Sequence, residues 1–174
     1  AIEEVLMKEQ PDWLLVYGDT NSTLAAALAA AKLHIPICHV EAGARTHSRT
    51  NPEEINRICT DHVSALLLAS TESGMDSMAV EGLADRGHMV GDPMYDAFLE
   101  YSQKATDDFK LKLLAGGEAE LPPEFYYLTC HREENTNEDK DLLEIFKAMD
   151  QLDAPTIYPV HPRNKQQILL KEDL

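Results

Sequence analysis

The chain has 174 residues and a formal net charge of −16, from 31 acidic and 15 basic side chains. That balance argues against nucleic acid or an anionic membrane surface as a main partner, so an anionic ligand has to be held by local Arg, His and backbone donors. No stretch approaches the roughly 18 apolar residues of a membrane helix, and the start lacks a signal-peptide pattern. Cys38, Cys59 and Cys130 are widely spaced among apolar neighbours, which reads as reduced thiols in a cytoplasmic protein rather than a disulfide scaffold or zinc site.

The predicted elements alternate. A helix from Ile2 to Lys8 runs into a core strand at Trp13-Leu-Leu-Val-Tyr17. Gly18-Asp-Thr-Asn-Ser22 combines a turn glycine with several capping side chains, and an Ala/Leu-rich helix follows from Thr23 to Leu33. Ile35 to Val40 is a second core strand, Glu41 stands where it emerges, and Gly43 permits a sharp turn. Pro52 opens a helix to about Val63, with Glu53 and Glu54 in the first turn, where negative charge suits the helix dipole. Ala65 to Ala69 is a third strand, capped into a helix reaching about Glu81, and His88-Met-Val90 a fourth.

One or two amphipathic helices are expected from Met94 to Leu114, then a loop from Gly116 to Pro123. The rhythm resumes with strand Phe125–Thr129, helix Asp139–Leu152, strand Thr156–Val160 and helix Asn164–Leu170. Strands separated by helices of this length indicate βαβ units on parallel sheets. The break in rhythm near Gly91 divides the chain into two Rossmann-like lobes, 1–91 and 92–174. Both termini fall in unfinished patterns, so the sequence reads as an internal piece of a longer protein in which each lobe is only partly present.

Gly18-Asp19, Glu41, His131-Arg132 and His161-Pro-Arg163 all follow the carboxyl ends of predicted strands, the edge that forms the ligand crevice in open α/β sheets. Each also has a plainer reading. Asp19 suits a helix cap, His131 a strand end, and His161 and Arg163 ordinary loop positions. His39, inside its strand, reads as a hydrogen-bonded core residue. Glu54 fits a capped helix start, Glu133, Glu134 and 138–141 a solvated one, and Tyr126-Tyr127 strand packing. Phosphate-loop, dinucleotide-binding and Gly-x-Ser-x-Gly signatures are absent. A metal cluster of Asp19, Glu41 and His131 is conceivable, but no paired His spacing supports it.

Seven motifs then occur in order: Gly18-Asp-Thr-Asn-Ser-Thr23, His39-Val-Glu-Ala-Gly43, Pro52-Glu-Glu-Ile-Asn-Arg57, Thr60-Asp-His62, Val90-Gly-Asp92, His131-Arg-Glu-Glu-Asn135 and Tyr158-Pro-Val-His161. Together they resemble the bacterial non-hydrolysing UDP-N-acetylglucosamine 2-epimerases. The resemblance implies two Rossmann-like lobes of the glycosyltransferase-B type, and interconversion of UDP-N-acetylglucosamine and UDP-N-acetylmannosamine without a cofactor or catalytic metal. It further implies a cytoplasmic enzyme of cell-envelope polysaccharide biosynthesis that is a homodimer at full length, these 174 residues alone being inactive. It assigns Asp19, Glu41, Glu53 and His131 to catalysis. Arg45, Arg132 and His131 are assigned to substrate, and Arg132 with His161 to an activating second UDP-sugar. Two departures, Glu133 in place of a second Arg and a short loop from Arg45 to Pro52, bear on the effector site more than on the chemistry.

The residue types suit that reaction. The proton on sugar C2 is not adjacent to a carbonyl, so its removal has to be coupled to departure of UDP from C1. Re-addition with a proton delivered to the other face inverts C2. This needs carboxylates as base and acid, and positive donors for the leaving diphosphate. Which carboxylate serves which face is left open. The alternatives are a glycosyltransferase on the same fold, which needs an acceptor, a hydrolysing epimerase, and a metal-dependent phosphohydrolase built on Asp19 and Glu41.

Overall fold

The computed structural model describes residues 1–106, 109–130, 133–136 and 138–169. These form two compact units, Ala1–Lys104 and Ala105–Leu174. The expected division at 91/92 precedes the helix Pro93–Ser102, whereas the compact units separate after it.

The first unit alternates α1 (Ile2–Glu9), β1 (Leu14–Tyr17), α2 (Asn21–Lys32), β2 (Ile37–Val40), α3 (Pro52–Val63), β3 (Leu66–Ala69), α4 (Glu72–Val80), β4 (Gly87–Met89) and α5 (Pro93–Ser102). The four strands pair in parallel in the order β1-β2-β3-β4. Strand β2 is buried at every position, as an inner strand covered on both faces requires. Leu6, Val16, Ala27, Ala30 and Ile37 form one core cluster, and Ala42, Leu67, Ala69, Met78 and Leu83 another. The small alanines of α2 let that helix approach the sheet closely.

Helix starts follow local chemistry. The side chains of Thr20, Asn51, Thr71 and Asp92 accept amide protons at the heads of α2, α3, α4 and α5. Pro52 and Pro93 stand in the first turns of α3 and α5, where no amide partner is lost.

In the second unit, β5 (Lys110–Lys112) and β6 (Glu118–Glu120) pair antiparallel, while β7 (Tyr126–Tyr127) and β8 (Thr156–Ile157) pair in parallel. Helices α6 (Glu133–Thr136), α7 (Asp139–Met149) and α8 (Pro162–Leu169) complete it. The hairpin corrects the expectation of helix up to Leu114. Lys-Leu-Lys faces Glu-Ala-Glu with a two-residue period, Lys110 pairs with Glu120 at 3.2 Å, and Gly116 and Gly117 take positive φ in the turn. The Tyr pair also differs from simple strand packing. Tyr126 and Tyr127 are both exposed, and the Tyr126 hydroxyl donates to Asp153 at 2.9 Å.

Gly43 has a second constraint besides its φ of +79°. A Cβ there would lie 2.8 Å from the Gly74 carbonyl carbon and 3.0 Å from its Cα, in the first turn of α4. Gly43→Ala is therefore expected to lose about 2–5 kcal/mol, from left-handed strain plus forced movement of backbone. Urea denaturation of the chain and its variant measures this; a loss below about 1 kcal/mol contradicts the close approach.

Candidate active site

Four strands deliver their carboxyl ends to one edge of the first sheet, and a hollow of about 190 Å³ opens there. Its lining is Gly18 and Asp19 after β1, Glu41, Ala42 and Ala44 after β2, Ser70 and Thr71 after β3, Asp92 after β4, and Arg57 from α3. Asp19 and Glu41 are thus brought together, as their places after strand ends led us to expect.

Asp19 is held from α3. Arg57 donates to its Oδ2 from Nη2 at 2.6 Å and from Nε at 2.9 Å. Asn56 Nδ2 donates to the Asp19 carbonyl at 2.8 Å and to Asn21 Oδ1 at 3.0 Å. Glu41 is exposed and adopts φ +68°, a left-handed backbone that costs a non-glycine residue of order 1–3 kcal/mol. Its Oε2 would touch a Cβ placed on Gly18 at 3.3 Å, so the glycine keeps that space open for the carboxylate. Ser70 Oγ, on the rim, is buried without a hydrogen-bond partner among the described residues.

Glu53 is exposed in the first turn of α3, one turn before Arg57 on the same stripe of the helix, and does not line the hollow. Its neighbour Glu54 is 1% exposed and accepts the amides of Thr46 and His47 at 2.8 and 2.9 Å. Burial alone would push the Glu54 carboxyl up, but those amides, with Arg45 nearby, outweigh it and hold it below the usual carboxylate range.

Arg45, expected to meet substrate, is buried and paired within the fold. Its side chain is 2% exposed, pairing with Asp61 at 2.8 Å and in a fork with Glu81 at 2.7 and 2.8 Å, while Nη1 donates to the Ala44 carbonyl. Burial pulls its pKa down, and the hydrogen bonds to Glu81 and Asp61 more than reverse this. The Glu81 carboxyl is lowered in turn, chiefly by its hydrogen bond from Arg45.

His39 is a fully buried core residue with Asp61 at 2.6 Å and the Gly18 carbonyl at 2.8 Å. Arg57, Asp61 and Asn56 had no individual role in the sequence reading. The spacing Glu54, Arg57, Asp61, at i, i+3 and i+7, was the available signal that one helix face is polar and buried.

In the second unit, His131 and Arg132 lie outside the described residues, and so does the side chain of Arg163. The strand end before them is anchored: Cys130 O accepts from the Tyr158 hydroxyl at 2.7 Å and from Asn164 Nδ2 at 2.9 Å. His161 is exposed at the start of α8, its carbonyl accepting the Asn164 amide. Among the described residues no group of three or more His, Cys, Asp or Glu side chains is placed to hold a metal ion, and no helix is long and apolar enough to cross a membrane. The three cysteines are free.

The family model described as UDP-N-acetylglucosamine 2-epimerase matches residues 1–173. The chain is 44% identical over 170 residues to UDP-2,3-diacetamido-2,3-dideoxy-D-glucuronate 2-epimerase of Pseudomonas aeruginosa, covering 94% of this chain and 46% of that protein. It is 33% identical over 172 residues to UDP-N-acetylglucosamine 2-epimerase of Escherichia coli K12, covering 92% and 45%. Among solved structures, the Methanocaldococcus jannaschii UDP-GlcNAc 2-epimerase in complex with UDP-GlcNAc and UDP superposes with a TM-score of 0.76. It is 36% identical and spans 97% of this chain and 47% of that one. The Neisseria meningitidis enzyme bound to UDP-GlcNAc gives 0.75 at 27% identity, over 99% and 49%. The chain spans about half the length of the curated relatives it matches.

Glu54 sets a pH expectation. A carboxyl whose folded pKa is depressed adds stability above its unfolded pKa, and the contribution is lost as pH falls through the folded value. Glu54→Gln is expected to lose about 1.5–3 kcal/mol near neutrality, one amide losing its acceptor. The gap to the parent should close below about pH 4. Thermal melts across about pH 3–7 measure it, and a gap that widens in acid contradicts the assignment.

Proposed function

The chain belongs to the UDP-N-acetylglucosamine 2-epimerase family, and from that footing we propose that the protein carrying it inverts C2 of a UDP-activated 2-acetamido sugar. UDP-N-acetylglucosamine and UDP-N-acetylmannosamine are the pair we assign. The observation that carries the reading is the convergence of Asp19 and Glu41 on one hollow at the carboxyl edge of the sheet.

In this reading a carboxylate takes the C2 proton as the C1–oxygen bond breaks. The electron pair of the C2–H bond becomes the C1=C2 double bond, and UDP leaves with the bonding pair. In the return step a proton is delivered to the opposite face of C2, and a UDP oxygen rebonds to C1. Asp19 and Glu41 are the acid–base pair, with Glu53 on the adjoining stripe of α3 as a third carboxylate. Arg57 holds Asp19 in place through paired donors. His131 and Arg132 are assigned to the diphosphate, and Arg132 with His161 to an activating UDP-sugar. The first compact unit then belongs to the lobe carrying the carboxylates, and the second opens the UDP-binding lobe. A cytoplasmic homodimer, acting without a cofactor in the supply of envelope polysaccharide precursors, completes the proposal; light scattering of the full-length protein tests the dimer.

The 44% identity to the Pseudomonas aeruginosa protein supports a second choice of sugar, the 2,3-diacetamido uronate that its name gives, with the same C2 chemistry. Offering both UDP-sugars separately to the protein at the full length of its relatives, and following C2 by NMR, decides between them. A C2 epimer should form without an acceptor and in the presence of a chelator. Dependence on an acceptor supports a glycosyltransferase, loss with chelator a metal-dependent phosphohydrolase.

Glu41→Gln is expected to leave the melting temperature unchanged and to lower turnover by about 100-fold or more, the scale of a lost acid–base residue. A folded variant with near-parental turnover removes Glu41 from the reaction.

A further inference from the structure

We propose that the buried His39–Asp61 pair is a positioning device that clamps the two loops bearing Asp19 and Glu41. The functional reading above enters only in what the clamped carboxylates are used for.

The loops turn on glycines, Gly18 at φ +61° and Gly43 at φ +79°. Glycine has little conformational preference of its own, so hydrogen bonds have to define the path of each loop. Gly18 is gripped on both sides: its amide donates to the Val40 carbonyl at 3.1 Å, and its carbonyl accepts His39 Nε2 at 2.8 Å. Its carbonyl is half of the peptide that leads into Asp19. On the other loop, the Gly43 amide donates to Asp61 Oδ2 at 3.0 Å, two residues past Glu41. Ala42, between them, donates to the Leu68 carbonyl at 3.0 Å.

His39 and Asp61 join the two grips through the contact Nδ1–Oδ1 at 2.6 Å. A carbonyl can only accept, so Nε2 carries a proton. Asp61 already accepts from Gly43 and from Arg45 on Oδ2, which fits an ionised carboxylate, so Nδ1 carries one too. The cations His39 and Arg45 and the anions Asp61 and Glu81 then sum to zero. A buried ion pair adds little stability over a well-packed apolar pair, so stability alone does not account for placing one here. Held spacing between two carboxylates does, since displacement by about 1 Å costs on the order of 100-fold in rate.

Two variants of the full-length protein test the clamp. The amide nitrogen of Gln at position 39 reaches about where Nε2 stands, and that of Asn about where Nδ1 stands. His39→Gln keeps a donor on Gly18 but breaks the join to Asp61, whereas His39→Asn keeps the join and releases Gly18, so each should lower kcat about 100-fold while KM changes less than about threefold. Near-parental kcat in either folded variant, or losses that track melting temperature, overturn the positioning role. Ring-proton NMR of the unmodified 174-residue chain needs neither a substitution nor activity: two hydrogen-bonded N–H signals from His39 are expected, and a single one overturns the clamp. If the unmodified full-length protein epimerises neither UDP-sugar, the functional reading falls, and the ring signals still decide the clamp.

Discussion

The first unit is organised around one buried carboxylate. Asp61 is fully buried, and it accepts from His39 on one oxygen and from Gly43 and Arg45 on the other. A charge in that position is tolerated only while its partners remain, since removing one partner of a buried pair costs about 3–5 kcal/mol. The partners come from β2, from the loop after β2 and, through His39, from the loop after β1. A single side chain on α3 therefore registers two strand ends against one helix.

Helix α3 extends the same logic. Its buried residues are Glu54, Asn56, Thr60 and Asp61, a polar set where a helix packed on a sheet ordinarily presents aliphatic groups. Glu54, Asn56 and Asp61 are matched to backbone of the carboxyl edge, while the Thr60 hydroxyl has no hydrogen-bond partner among the described residues. Glu54 takes the Thr46 and His47 amides, Asn56 the Asp19 carbonyl, and Ser64, just past the helix, donates its hydroxyl back to Thr60 O. The loops at the carboxyl edge lack ladder partners, and the helix supplies them. What results is an edge whose irregular backbone is rigid enough to carry Asp19 and Glu41, with Glu41 in a left-handed conformation that the surroundings maintain.

The second unit uses a related device on a smaller scale. Asn164 is buried on α8, and its amide bridges the Tyr158 hydroxyl and the Cys130 carbonyl at the end of the β7 segment. Phe146 packs its ring 5.4 Å from that of Tyr158, which keeps the hydroxyl aimed at the same carbonyl. The hairpin β5–β6 instead presents its charges outward and rests on cross-strand pairing.

The alternation of strands and helices was legible in the sequence because burial imposes it locally. A strand covered on both faces has to be mostly apolar, and Pro is favoured in the first turn of a helix, so the Ile35–Val40 strand and the Pro52 entry could be read without a partner in view. The carboxyl-edge position of Asp19 and Glu41 followed from connectivity alone. The hairpin was missed because Lys110–Lys112 is short and charged, and becomes a strand only when Glu118–Glu120 lies opposite. The pairing of Arg45 was not legible, because nothing local marks that Asp61 and Glu81, 16 and 36 positions further along the chain, fold onto it. Local patterning sets most of the elements and the edge that collects the polar groups. Which of those groups are consumed in holding that edge depends on the folded chain, because hydrogen bonds and ion pairs are made by distance in space, and separation along the chain does not encode it.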